Sequence, residues 1–224
     1  MQWLLAGGMV PTLAGLLHAY CRVYVSHVEQ SQEGAHATEE VADGVLRVLE
    51  FVAAHEDGGH LVEAEGGSQL LRDVLDALCL SDSEAVESSA VCVLSEWQTD
   101  MVLRALLQDV AALKAVLAKL DKGSDEAQAS AWALLSALCH HMKAGASAGG
   151  LWGSAFCVIT AALTEFLDVV VPDGQRCALV TVVEDLLQCQ PADGGIECRD
   201  PAVESLTDGI LVLRSLRASL DPCV

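Results

Sequence analysis

Two stretches, SEAVESSAVCVLSEW (83–97) and SDEAQASAWALLSAL (124–138), are imperfect copies of one another set 41 residues apart. In register, Ser89-Ala90 falls on Ser130-Ala131 and Val93-Leu94-Ser95 on Leu134-Leu135-Ser136. A period of 20 to 50 residues marks a chain of stacked helical repeats, because each helix pair buries its apolar face only against its neighbours. Such chains bind other proteins far more often than they catalyse reactions.

Composition agrees with helix packing against helix. Of 224 residues 52% are hydrophobic but only 4% are aromatic, so the core is built from Leu, Val and Ala. With five prolines and short segments between apolar runs, no linker separates two cores, and residues 1–224 read as one helical-repeat domain. The balance of 32 acidic against 12 basic residues, a net charge of −20, repels phosphate backbones and anionic membrane surfaces, which argues against nucleic acid and lipid as partners. The same charge attracts a basic segment of another protein, or simply keeps an apolar chain in solution.

Nine cysteines, at 21, 79, 92, 139, 157, 177, 189, 198 and 223, are odd in number, form no CxxC pair and fall mostly inside apolar runs. They read as reduced, buried thiols of a cytoplasmic or nuclear protein. The apolar N-terminus, Met1 to Tyr20, lacks a basic leader and is interrupted by Gly7-Gly8 and Pro11, which argues against a secretory signal. No uninterrupted apolar run reaches the length of a membrane-spanning helix.

Periodicity and capping signals predict eight or nine helices. The first runs from Met9 to about Gln30 and is followed by a polar break over 31–37; Thr38 opens the next, which ends near His55. Gly58-Gly59 and Gly66-Gly67 bracket a turn, and Ser68 caps a helix carrying Leu71, Val74, Leu75 and Leu78. Helices are then expected from Ser83 through Trp97, Leu106 to Leu120, Ser124 to about Met142, Gly153 to Val171, Pro172 to Gln190 and Pro201 to about Ser219.

With these segments placed, LLAGGMVPTLAGLL (4–17), LVEAEGGSQLLRDVL (61–75) and ASAWALLSAL (129–138) resemble the armadillo repeats, within the armadillo and HEAT group of α-solenoids. The echo of DGVLRVL (43–49) by DGILVL (208–213) adds to that resemblance. It implies an all-α, right-handed α-solenoid of about four armadillo-like repeats, with a concave groove for a protein partner. The candidate groove residues, carried over by position on the helices after the glycine turns, are Gln69, Arg72, Asp73 and Asp76, then Lys114, then Thr164, Glu165 and Asp168. Polar residues opposite an apolar stripe are equally what any amphipathic helix shows to water. The chain departs from the nuclear-import members of the family, which clamp basic peptides with a ladder of asparagines: it contains no asparagine, and Ser95 and Ser136 stand where the ladder would place them. A hydroxyl cannot supply the paired donor and acceptor of an amide. Trp132 is accordingly assigned to the core.

Catalytic chemistry is not legible. His140-His141 beside Cys139 point about 100° apart on a helix and cannot share one metal, and His55 with His60 read as an exposed loop. No GxSxG, HExxH or Walker A pattern occurs. The expectation is a non-catalytic interaction scaffold or adaptor with no metal or cofactor; the alternative is the regulatory solenoid of a larger enzyme such as a kinase or ubiquitin ligase. Because Met1 falls in the middle of a repeat, leaving Leu4, Leu5, Leu13, Leu16 and Leu17 uncovered, the chain reads as a piece or short form of a longer array, or as one that self-associates or docks through its N-terminal end.

Overall fold

A computed structural model of the chain describes residues 8–55, 57–145, 153–167, 173–188 and 214, apart from the backbone and side chains of 28–31 and the side chains of a few further helical positions. All regular structure among the described residues is helical. Among the described residues nine helices follow one another: α1 (Met9–His27), α2 (Gln32–Ala53), α3 (Gly58–Leu80), α4 (Glu84–Glu96), α5 (Asp100–Gln108), α6 (Val110–Lys122), α7 (Asp125–Gly145), α8 (Gly153–Leu167) and α9 (Asp173–Gln188). The expected terminal helix from Pro201 lies, Arg214 aside, outside the described residues.

Three boundaries differ from the sequence expectation. Helix α2 begins at Gln32, so much of the polar stretch before Thr38 is helical rather than a break. The segment between the two glycine pairs is also helical, and His60 therefore lies in α3 and not in a loop. A single Gly, Gly67 (φ 60°, ψ −162°), interrupts α3 in a backbone region that side chains resist. Finally, the predicted helix from Leu106 to Leu120 is two helices. The Asp109 carboxylate accepts hydrogen bonds from the Ala111 and Ala112 amides (2.9 and 3.1 Å), satisfying donors that a new helix start would leave bare.

These breaks expose a repeat longer than the motif that first suggested it. Residues 58–66, Gly67 and 68–80 have the same lengths as α5, Asp109 and α6, nine and thirteen residues with one residue between. Each such pair is followed by a further apolar helix, α4 (13 residues) or α7 (21 residues). Burial repeats with the same spacing. Leu71, Val74, Leu75 and Leu78 of α3 are matched 42 residues on by Leu113, Val116, Leu117 and Leu120 of α6, all of them buried. Ala155, Phe156, Ile159, Thr160 and Leu163 of α8 continue the series. In the other class, Val45, Leu49, Val52 and Ala53 of α2, Val86, Ala90, Val93 and Leu94 of α4, and Ala127, Ala131, Leu134 and Leu135 of α7 are buried at steps of 41. On α9, after a longer loop, Leu179, Val182, Val183 and Leu186 form a buried face at steps of three and four.

The chain divides into two compact units, the first comprising 1–102 and 122–131 and the second 103–121 and 132–224. In the first unit α1 packs on α2 and α3, α2 on α3 and α4, and α3 on α4. Helices α1 and α2 thus each meet their successor and the next member of their own class, the contact pattern of repeats that touch only their neighbours. The second unit has its own buried set, including Leu113, Leu134, Leu138 and Ile159, and an ion pair of Lys143 with Asp185 at 2.9 Å. No helix among the described residues is long and apolar enough to cross a membrane.

Candidate functional site

The residues expected to line a groove separate into different environments. On α3, Gln69, Arg72 and Asp76 are exposed. Asp73 is not: it is 2% exposed, turned in against α1, because at 3.6 residues per turn it shares the packed side of the helix with Leu70 and Ala77. Its Oδ1 meets His18 Nδ1 at 3.0 Å and accepts from Gln69 Nε2 at 3.0 Å, while the Cys21 thiol donates to its carbonyl at 3.3 Å. Its Oδ2 is buried without a hydrogen-bond partner. Asp73 is therefore removed from the groove set and belongs to the α1–α3 seam. Lys114 is exposed on α6, at the place Arg72 holds 42 residues earlier. Thr164 and Glu165 lie on α8, whose described part there is backbone alone, and Asp168 lies outside the described residues.

The seam with Asp73 cannot supply a nucleophile. Burial, then the charges of Asp73 and Asp76, push the Cys21 thiol up to about 12, so it stays protonated. Tyr20 donates to Ser81 Oγ at 3.2 Å at the far end of the same contact.

A second polar seam runs across α2, α4 and the first turns of α7, and single-residue reading had not selected it. Ser89 Oγ donates to Asp43 Oδ1 at 2.6 Å, and Arg47 Nε donates to Asp43 Oδ2 at 3.0 Å. Ser130 Oγ donates to Cys92 Sγ at 3.4 Å. Nearby, Glu50 titrates above the usual carboxylate range, first because it is partly buried and then because Glu126 and Glu96 add like charge from the next two helices of its class. Arg47 offsets this only in part and is itself held more firmly protonated by Asp43. Burial also raises the Cys92 thiol, although its bond from Ser130 works the other way. Carboxylates from three helices, Glu126, Glu96 and Asp43, thus act on Glu50, with Arg47 as the one cation among these groups. The 41-residue step carries none of Glu50, Glu96 and Glu126 onto one another, so the repeat itself gave no signal for this group.

Trp132 is 4% exposed, in keeping with core packing, and Ser95, one of the two serines at the ladder positions, is itself buried. Among the described residues no group of three or more His, Cys, Asp or Glu side chains is placed to hold a metal ion. What this arrangement offers chemically is surface: exposed polar residues on one helix class and a repulsive carboxylate group on the other. No family model, no curated protein and no solved structure matches the chain.

Proposed function

We propose that this protein is a non-catalytic scaffold of armadillo type, a right-handed α-solenoid that holds a segment of another protein. The observation that carries the reading is the recurrence of a nine-residue helix, a one-residue break, a thirteen-residue helix and a third apolar helix, with buried positions returning every 41 to 43 residues. Stacking of such units leaves one helix face per repeat free to line a continuous surface. The partner-facing residues are Gln69, Arg72, Asp76 and Lys114, and the carboxylates of Glu50, Glu96 and Glu126 favour a partner segment rich in Lys or Arg. A cation set among them offsets the burial and the like charge that raise Glu50.

Affinity capture with mass spectrometry tests the assignment by comparing wild type with Arg72→Glu plus Lys114→Glu and with Glu96→Lys plus Glu126→Lys, each checked for folding by circular dichroism. Loss of the same partner in one or both pairs is expected. An unchanged partner list in both sinks the reading, because reversing two charges in a real contact surface slows association and weakens it.

A further inference from the structure

The first part of α3, residues 58–66, is fixed at its two ends and held by little in between. Three described residues have positive φ, Gly8, Asp57 and Gly67, and two of these bracket the segment, Asp57 at φ 62° and Gly67 at φ 60°. At the first end a Cβ on Gly58 would collide with the carbonyls of Val52 and Ala53, and the Gly58 amide donates to the His55 carbonyl at 2.7 Å. Between the ends, Gly58, Gly59 and Gly66 make three of the nine residues glycine, a helix former second only to proline in weakness. Val62 is the one side chain of the segment that is buried. The thirteen residues after Gly67 differ: Leu70, Leu71, Val74, Leu75 and Leu78 are all buried, and Asp73 ties the helix to His18 of α1. A helix of poor propensity with one buried side chain lies at the low end of the local stabilities within a fold.

Trp97, at the end of α4, lies against this segment. A Cβ placed on Gly59 would stand 3.5 Å from Trp97 Cδ1, the ring carbon bonded to Nε1, so the first turn of α3 lies along the polar edge of the indole. Trp97 is 0% exposed, and its Nε1 has no hydrogen-bond partner among the described residues. A buried N–H left bare costs free energy that contact with water returns.

We propose that residues 58–66 form a strap that opens by local unfolding between Asp57 and Gly67, while the rest of α3 stays folded, and uncovers the indole N–H of Trp97. Opening gives up the burial of Val62 and the hydrogen bonds of one short helix. Against that loss, the glycines regain the conformational freedom that a helix denies them, and Trp97 Nε1 gains water. The two positive-φ joints limit the event, because the helix hydrogen-bond ladder is already interrupted at both. The closed molecule thus carries an aromatic ring with an unused donor that a ligand meets only in the open state, a contact revealed by a minor conformer.

Native-state hydrogen exchange of the full chain, followed by NMR in water and in low urea, tests the strap. The amides of Leu61 to Gly66 and the indole N–H of Trp97 are expected to share one opening equilibrium constant, insensitive to low urea and at least about tenfold larger than that of the Val74 to Leu78 amides. Gly59→Ala adds a methyl at ordinary contact distance from Trp97 and removes the freedom of one glycine, so it is expected to lower that constant about two- to fivefold for both probes. Strap amides that follow Val74 to Leu78 in rate and urea dependence mean that no local opening takes place. A Trp97 indole that stays protected while the strap amides exchange means that the strap does not cover it. Either result overturns the proposal.

Discussion

Gly67 is where a change of one methyl group separates this architecture from a plain long helix. Its φ of 60° with ψ of −162° lies outside even the left-handed helical region that Asn and Asp tolerate; only glycine enters it freely. A Cβ built at Gly67 meets nothing within 4 Å, so the penalty of Gly67→Ala is backbone strain alone, about 1–3 kcal/mol. Gly44 provides the opposite case within the same unit. It sits inside α2, and a Cβ there also meets nothing, so Gly44→Ala removes only the entropic handicap of glycine and stabilises by about 0.5–1 kcal/mol. Urea denaturation followed by far-ultraviolet circular dichroism measures both, with the midpoint expected to move down for the first variant and up for the second at equal slope. Gly67→Asn is the discriminating third variant. Since the ψ angle is wrong for the left-handed helix, asparagine is expected to rescue nothing. A Gly67→Ala protein as stable as wild type, or full rescue by asparagine, refutes the reasoning, for it means that the helix passes through residue 67 without this break.

Two further outcomes follow from the altered acidities. Because the folded state binds the Glu50 proton more tightly than the unfolded chain does, stability falls as pH rises from the ordinary glutamate value through the raised folded one, and then levels off. Glu50→Gln is therefore expected to stabilise at neutral pH and to lose its advantage in acid, as pH-dependent urea midpoints will show; a constant advantage at every pH counts against the tighter proton binding that burial and then like charge give Glu50 in the folded state. Among the thiols, iodoacetamide near pH 8 should modify exposed Cys79 well before buried Cys92 and Cys139 or Cys21, whose thiol stays protonated far above that pH. Peptide mass mapping of a time course checks the order, and early labelling of Cys21 contradicts the α1–α3 packing.

The helical class and the 41-residue step were legible because they rest on positions that are apolar for one reason, burial against the neighbouring helix. Ala90 and Ala131, or Leu94 and Leu135, declare themselves by type and spacing alone. The extension of the step back to α2 was harder to see because, apart from Val45 with Val86 and Val52 with Val93, its positions match their later counterparts in burial and not in residue type. Periodicity also could not divide 106–120, since Asp109 reads as one more polar residue on a helix until its carboxylate is seen turned onto the two amides that follow. The glycine pair at 66–67 was recognised as a punctuation mark, but whether it ends a loop or bends a helix depends on the angles at one residue.

The site was less legible, and Asp73 shows the physical reason. A carboxylate at a groove-facing spacing is normally solvated, and burying one is costly unless hydrogen bonds compensate. Here the compensation comes from His18, 55 residues away in sequence, and from Gln69 one turn earlier, and neither partnership has a signature in the one-dimensional pattern. The carboxylate group around Glu50 was obscured for a related reason. Each acidic residue looks like an ordinary solvated surface position, and only the packing of α2 beside α4 shows that successive repeats bring their charges within mutual influence. In a repeat chain the repeated part is thus the part a sequence discloses, whereas the positions that differ between copies, Val48 against Ser89 and Gly67 against Asp109, show their roles only once Ser89 is seen bonded to Asp43 and Asp109 turned onto the amides that follow it.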